Sequence, residues 1–273
     1  MITRPVALTI AGSDPSGGAG IQQDVRVFTC LKVYSCAVIA ALTVQNTQGV
    51  KDVYPVSSTI LARQLEAIFE DFLPNSIKLG MLATKENVEV VAEFLTRFMK
   101  IPVIADPVML SKNDKELLDK MAMGLYIEKL LPVVDILTPN LDEAGVIVGR
   151  KILNLDDMKY ASDKILHLMK TGRKSPYEPV VIIKGGHLYN EKESIDVVAS
   201  ASKRLELATP RIENRHTHGT GCTLSSAICA YISKGEDFLT AIKHAKKFVT
   251  GAINAGFALG QGVGPVDPMF FIS

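Results

Sequence analysis

Apolar residues along the chain gather into short unbroken runs, separated by longer segments in which they recur every three or four positions. Val6 to Ile10, Ser35 to Thr43, Ser76 to Leu79, Val103 to Ala105, Val133 to Leu137 and Val180 to Ile183 are of the first kind. Such short runs, bounded by turn residues, predict buried strands. The second kind predicts helices: Ile21 to Leu31, Ser57 to Phe72, a segment capped by Thr84 and ending near Phe98, Asp114 to Leu130, and Leu155 to about Met169 behind Asn154. Val50 to Val56 alternates like an edge strand, and Ile195 to Ala199 with Arg204 to Ala208 reads as a hairpin. Two helices rich in small residues are expected at the end, Thr223 to Ile232 and Phe238 to Leu259. Strands and helices alternate almost throughout. The expected architecture is therefore α/β, a mostly parallel sheet covered on both faces, with residues 1–273 as a single domain.

Polar and glycine-rich clusters interrupt this pattern where strands should end, which is where open α/β sheets bind ligands. The densest is HTHGTGCTLSS, His216 to Ser226. There Gly219, Thr220 and Gly221 feed a helix start, whose unpaired N–H groups and dipole favour an anion. Cys222 sits in the first turn, where the same field would lower its pKa. Ala11 to Gly20 forms a glycine-rich loop between strand and helix. It fails as a P-loop, because Gly18-Ala19 stand where Lys-Ser/Thr belongs, and as a dinucleotide fingerprint, because Gln23 replaces the third glycine.

Composition narrows the choice. The 273 residues carry a formal net charge of +1, which argues against nucleic acid or an acidic membrane as the main partner. No apolar run is long enough for a membrane span, and no signal peptide is expected ahead of Val6. Cys30, Cys36, Cys222 and Cys229 make no CxxC pair, so free thiols in a reducing cytoplasm are expected. His216 and His218 read as surface or structural histidines. Lys184 is either a phosphate cation or a solvated lysine. Asp106 and Glu143 either hold Mg²⁺ or serve as a turn residue and a first-turn helix acid. An anion cradle, a lysine, two carboxylates and a base together suit phosphoryl transfer.

The motifs TIAGSDPSGGAGIQQD, VQNTQGV, KLGML, DPVM, TPNLDEA, KGGH and HTHGTGCTLS occur in order over nearly the whole chain. They resemble hydroxymethylpyrimidine/phosphomethylpyrimidine kinases, members of the ribokinase-like superfamily. The resemblance implies a three-layer α/β/α sandwich and two ATP-dependent steps of thiamine biosynthesis: phosphorylation of 4-amino-5-hydroxymethyl-2-methylpyrimidine, then of its monophosphate. It further implies that Gly219, Thr220 and Gly221 form an anion hole, with Cys222 where most of the superfamily has a catalytic Asp. Gln45 would hydrogen-bond the pyrimidine, and Gly12, Ala19, Met81 and Val108 would line its pocket. Lys184 and Asn140 would serve ATP, and Asp106 and Glu143 Mg²⁺. A homodimer is compatible with the family's habit.

Departures also appear. The segment after DPVM, Leu110 to Asp114, lacks glycine, and Asp267-Pro268 follows Gly264-Pro265-Val266 where the family usually has an Asn-His pair. The nearest alternative is a pyridoxal kinase. Those specialists carry a cysteine after DPVM, where Leu110 and Ser111 stand here. A non-catalytic pyrimidine-binding regulator should have lost part of the Lys184, Asp106 and GTGC set, and none is lost. A nicotinamide-dependent dehydrogenase fails at Gln23.

Overall fold

The computed structural model describes residues 4–109, 122–186, 188 and 192–272. Its strands are β1 (Val6–Ser13), β2 (Tyr34–Asn46), β3 (Gly49–Pro55), β4 (Ser76–Leu79), β5 (Val103–Ala105), β6 (Ile136–Leu137), β7 (Val180–Ile183), β8 (Glu193–Ala199) and β9 (Arg204–Pro210). They form one 9-stranded sheet in the order β3-β2-β1-β4-β5-β6-β7-β8-β9. From β2 to β7 every neighbouring pair is parallel; β3 at one edge and β8–β9 at the other run antiparallel. The helices are α1 (Gly20–Cys30), α2 (Ser58–Asp71), α3 (Lys85–Leu95), α4 (Ala122–Leu125), α5 (Leu141–Val148), α6 (Leu155–Lys170), α7 (Thr220–Ser233) and α8 (Phe238–Asn254).

The pleat explains why the central strands read as continuous apolar runs. Ile104, Ile136 and Ile182 face one layer, with Phe28, Ile228 and Phe248 of α1, α7 and α8. Their neighbours Val103, Ala105, Leu137, Val181 and Ile183 face the other, with Leu61, Val91 and Ile165 of α2, α3 and α6. Successive strand residues point to opposite faces, and both faces are covered, so no strand position can be polar without a partner.

Three expected elements differ. The run Val133 to Leu137 yields only Ile136–Leu137 as strand, because residues 131–133 form a 3₁₀ turn containing Pro132. The last helix stops at Asn254 rather than Leu259. There Asn214 Nδ2 donates to the Ile253 and Gly256 carbonyls, at 2.8 and 2.9 Å, satisfying groups the helix leaves open. Of the helix expected from Asp114 to Leu130, residues 114–121 lie outside the described residues, and residues 126–130 form a wider π turn. The Leu110 to Asp114 segment and His187 likewise fall outside them.

β1 is the strand at which the winding reverses: β2 lies on one side of it and β4 on the other. At such a switch point the loops beyond the strand ends diverge and leave a crevice.

Candidate active site

Every sequence-predicted site residue lies in the crevice at the C-terminal ends of the parallel strands or on the helix starts facing it. Gly12 is the second-last residue of β1, Met81 follows β4, Asp106 and Val108 follow β5, Asn140 follows β6 and Lys184 follows β7. Residues 216–222 meet them from the other layer. Gly219 has φ +80°, and a Cβ there would lie 1.8 Å from the Gly18 carbonyl oxygen, so only glycine fits. That contact presses the turn before α7 against the loop before α1.

Helix capping sets these two starts apart. Ser57, Thr84, Asn140, Asn154 and Asp237 cap α2, α3, α5, α6 and α8 with their side chains. α1 and α7 begin at Ala19 and Gly219 with no side-chain cap. No side chain caps these starts, although the Thr220 N–H reaches the Thr217 carbonyl at 3.4 Å; helix starts without a side-chain cap are the arrangement that binds anions.

The charged cluster stands against Gly221. Lys184 Nζ donates to Asp106 Oδ1 at 2.7 Å and lies 3.9 Å from Glu143 Oε2. A Cβ on Gly221 would come within 3.0 Å of Asp106 Oδ2 and 3.1 Å of Lys184 Nζ, so the helix start approaches them because residue 221 has no side chain. Thr138 Oγ1 also donates to Asp106, at 3.2 Å. Asn140 and Glu143 form a reciprocal capping box: Glu143 N–H donates to Asn140 Oδ1, and Asn140 N–H to Glu143 Oε2, both at 2.8 Å. Burial pushes the Glu143 carboxyl up to about 7; Lys184 opposes this and Asp106 adds to it. Two desolvated carboxyls beside one ammonium leave room for further positive charge. That fits Mg²⁺, which is usually bound through one or two carboxylates plus substrate phosphates. Among the described residues no group of three His, Cys, Asp or Glu forms a protein-only metal cage.

Cys222 departs from expectation. The residue is partly accessible, yet desolvation pushes its thiol up to about 11. The Lys78 charge and the Gly20 N–H, which donates to the sulfur, pull it down, while Asp24 and Asp106 push it further up. The helix start does not by itself make a thiolate here.

On the other side, Gln45 lies within β2, not beyond its end. Its side chain accepts from Thr43 Oγ1 at 3.2 Å and meets His218 Nε2 at 3.3 Å. Gly12 touches Met81, since a Cβ there would lie 2.5 Å from its Cε. Met81 packs with Ala41, Val50, Ala83 and the partly buried Val108. Ala19 N–H donates to Asp14 Oδ2 at 2.9 Å, which holds the loop before α1.

His218, expected as a surface or structural histidine, takes a structural place within the site. Its Nε2 meets Asp14 Oδ2 at 2.8 Å, and a Cβ on Gly18 would fall 2.3 Å from the ring. It therefore closes the crevice between Gln45 and the two helix starts. Burial opposes ionisation of Asp14, but hydrogen bonds from His218 and Ser16 hold its carboxyl below the usual range. The signal was available in the position of His218, directly before Gly219. Asp24 and Lys78, within the quoted motifs but without a role, form a buried ion pair beneath the site. Asp267 caps a 3₁₀ turn, residues 268–271, by accepting from the Met269 N–H at 2.9 Å, so the departure from the family pattern there closes the chain locally.

The phosphomethylpyrimidine kinase family model matches residues 14–267. The hydroxymethylpyrimidine/phosphomethylpyrimidine kinase of Aquifex aeolicus is 41% identical over 96% of this chain and 99% of its own. Among solved structures, an ADP complex of Bacillus subtilis pyridoxal kinase superposes with a TM-score of 0.88 at 32% identity, covering 99% of both chains. A phosphomethylpyrimidine kinase from Clostridium difficile gives 0.78 at 38% identity, covering 92% of this chain and 100% of its own. With the site geometry and these likenesses pointing the same way, the chain belongs to the phosphomethylpyrimidine kinase family, within the ribokinase-like fold.

Proposed function

We propose that the chain phosphorylates 4-amino-5-hydroxymethyl-2-methylpyrimidine with ATP, and then converts the monophosphate to the diphosphate. The observation that carries this reading is the meeting of two uncapped helix starts with the Lys184–Asp106 pair in one crevice. Nucleotide phosphates lie against Lys184 and Asn140, and the transferring group against the N–H groups of Gly219, Thr220 and Gly221. The pyrimidine lies on the opposite side, against Gln45 and between Gly12, Ala19, Met81 and Val108. Asp106 and Glu143 would hold Mg²⁺, which would supply charge neutralisation on the phosphates.

In the first step the substrate hydroxyl oxygen bonds to the γ-phosphorus and the bond to the ADP oxygen breaks. Cys222 Sγ takes the hydroxyl proton as the thiolate, after its own proton has passed to solvent, because the neutral thiol favoured by burial has no site for it. A base of this kind contributes about 10²–10⁴-fold. In the second step the attacking group is a phosphate monoester, already ionised, so proton removal matters less.

Residues 1–273 act as one kinase domain, which the single continuous sheet supports. Two chains associate through the face where β2 pairs with β3, at which Leu42, Val44 and Tyr54 are exposed. The free thiols suit a cytoplasmic setting. Among the described residues no helix is long and apolar enough to cross a membrane.

The test is ATP consumption with Mg²⁺ on hydroxymethylpyrimidine, its monophosphate and pyridoxal, with product masses. Stepwise addition of two phosphates to the pyrimidine is expected. Turnover of pyridoxal alone would move the chain to the specificity of its Bacillus subtilis relative. Tight pyrimidine binding without turnover would indicate a regulator.

A further inference from the structure

Lys78 and Asp24 are both fully buried and paired at 2.8 Å, in the middle of the sheet and helix layers. Asp24 is saturated: Lys78 Nζ donates to both its oxygens (3.0 and 2.8 Å), Thr9 Oγ1 to Oδ2 at 2.6 Å, and Ser226 Oγ to Oδ1 at 2.6 Å. Burying two charges costs more than an apolar pair of the same size, so stability alone does not call for such a pair here.

Its place is specific. Asp24 lies four residues after Gly20 on α1, and Ser226 lies four residues after Cys222 on α7, so each stands one turn below its partner on the same helix face. Two hydrogen bonds join the helices here: Gln23 Nε2 donates to Thr223 Oγ1 at 2.9 Å, and Ser226 Oγ donates to Asp24 Oδ1 at 2.6 Å. Lys78 Nζ rises toward the site end of β4, where a Cβ on Gly80 would lie 2.9 Å from it.

We propose that Lys78 is a positioning residue for phosphoryl transfer: paired with Asp24, it ties the starts of α1 and α7 together and sets a buried positive charge one helical turn beneath Cys222 and the Gly219–Gly221 turn. The charge acts where negative charge gathers during transfer, in a dry site where a fixed cation is most effective. Two charge effects agree with this placement: Lys78 is the largest influence opposing the upward push on Cys222, and Cys222 and Asp106 both act on Lys78.

The inference rests on the kinase reading above, so wild-type turnover is measured first; its absence would sink that reading, not this one. The decisive variant is Asp24→Asn with Lys78→Met. It removes both charges together and leaves an amide to meet Thr9 and Ser226. Expected are a folded protein, a KM for ATP within about threefold of wild type, and a kcat lowered at least tenfold. A folded double variant with unchanged kcat overturns the proposal, as does a loss confined to KM. If the double variant does not fold, Ser226→Ala detaches α7 from Asp24 and leaves the ion pair. A kcat lowered about threefold at constant KM is then expected, and an unchanged kcat overturns the proposal.

Discussion

At Cys222 two physical effects oppose each other. A helix start favours the thiolate, but desolvation and two nearby carboxylates favour the thiol, and the thiol is pushed up to about 11. At pH 8 a thiol with that pKa is only about 0.1% ionised, against roughly a quarter of an ordinary cysteine. Alkylation of Cys222 by iodoacetamide is therefore expected to be some hundredfold slower than that of a free thiol at pH 8, and to keep rising toward pH 11. A plateau below pH 8 would show a thiolate already formed. Cys222→Ala is expected to lower the first phosphorylation about 10²-fold and the second by less than tenfold; equal losses in both steps would remove the base role. The type and place of this residue were legible in HTHGTGC, because glycines and a small-residue run mark a helix start. Its ionisation was not, because Asp24, Lys78 and Asp106 reach it only through folding.

At the scale of the element, the start of α5 does two things at once. The capping box that fixes the helix uses the same Glu143 that faces Lys184 and Asp106. Glu143 has its pKa raised to about 7, so the folded state favours its neutral form near neutrality. What this group adds to stability is full below the ordinary carboxyl value of 4.5, and is lost as pH rises through about 7. A divalent cation favours the ionised form, so binding of Mg–ATP at pH 6 is expected to release up to about one proton. Calorimetry in two buffers of different ionisation enthalpy reads this directly, and identical heats would exclude Glu143 as the linked group. Strand ends and helix caps such as Thr84 and Asn154 were legible from apolar spacing and residue type, since both are local. The loss of strand at residues 133–135 was not legible, although Pro132 was visible.

At the scale of the whole molecule, the sheet brings together residues from Gly12 to Gly221 and leaves one outer face partly bare. Leu42 and Tyr54 are register partners on β2 and β3, and both are more than half exposed. An exposed apolar patch on a sheet edge invites association. The protein is expected to be a dimer by light scattering, and Leu42→Asp is expected to shift it to monomer. A wild-type monomer at micromolar concentration would remove that assembly.

Whatever rests on near neighbours along the chain was legible in residue order alone: the period of the apolar positions, the helix caps, the glycines that α7 needs at its start, and the motifs that mark the family. Tertiary structure decided the rest. It set His218 between Gln45 and Asp14, buried Lys78 against Asp24 from separate elements, and set Asp106 and Lys184 against Gly221. The physical reason is that charge, desolvation and hydrogen bonding act over a few ångströms of space, whereas Lys78 meets Asp24 across 54 residues of sequence and His218 meets Asp14 across 204. A single chain read in order carries the residue types for such pairs but not the distances that make them interact.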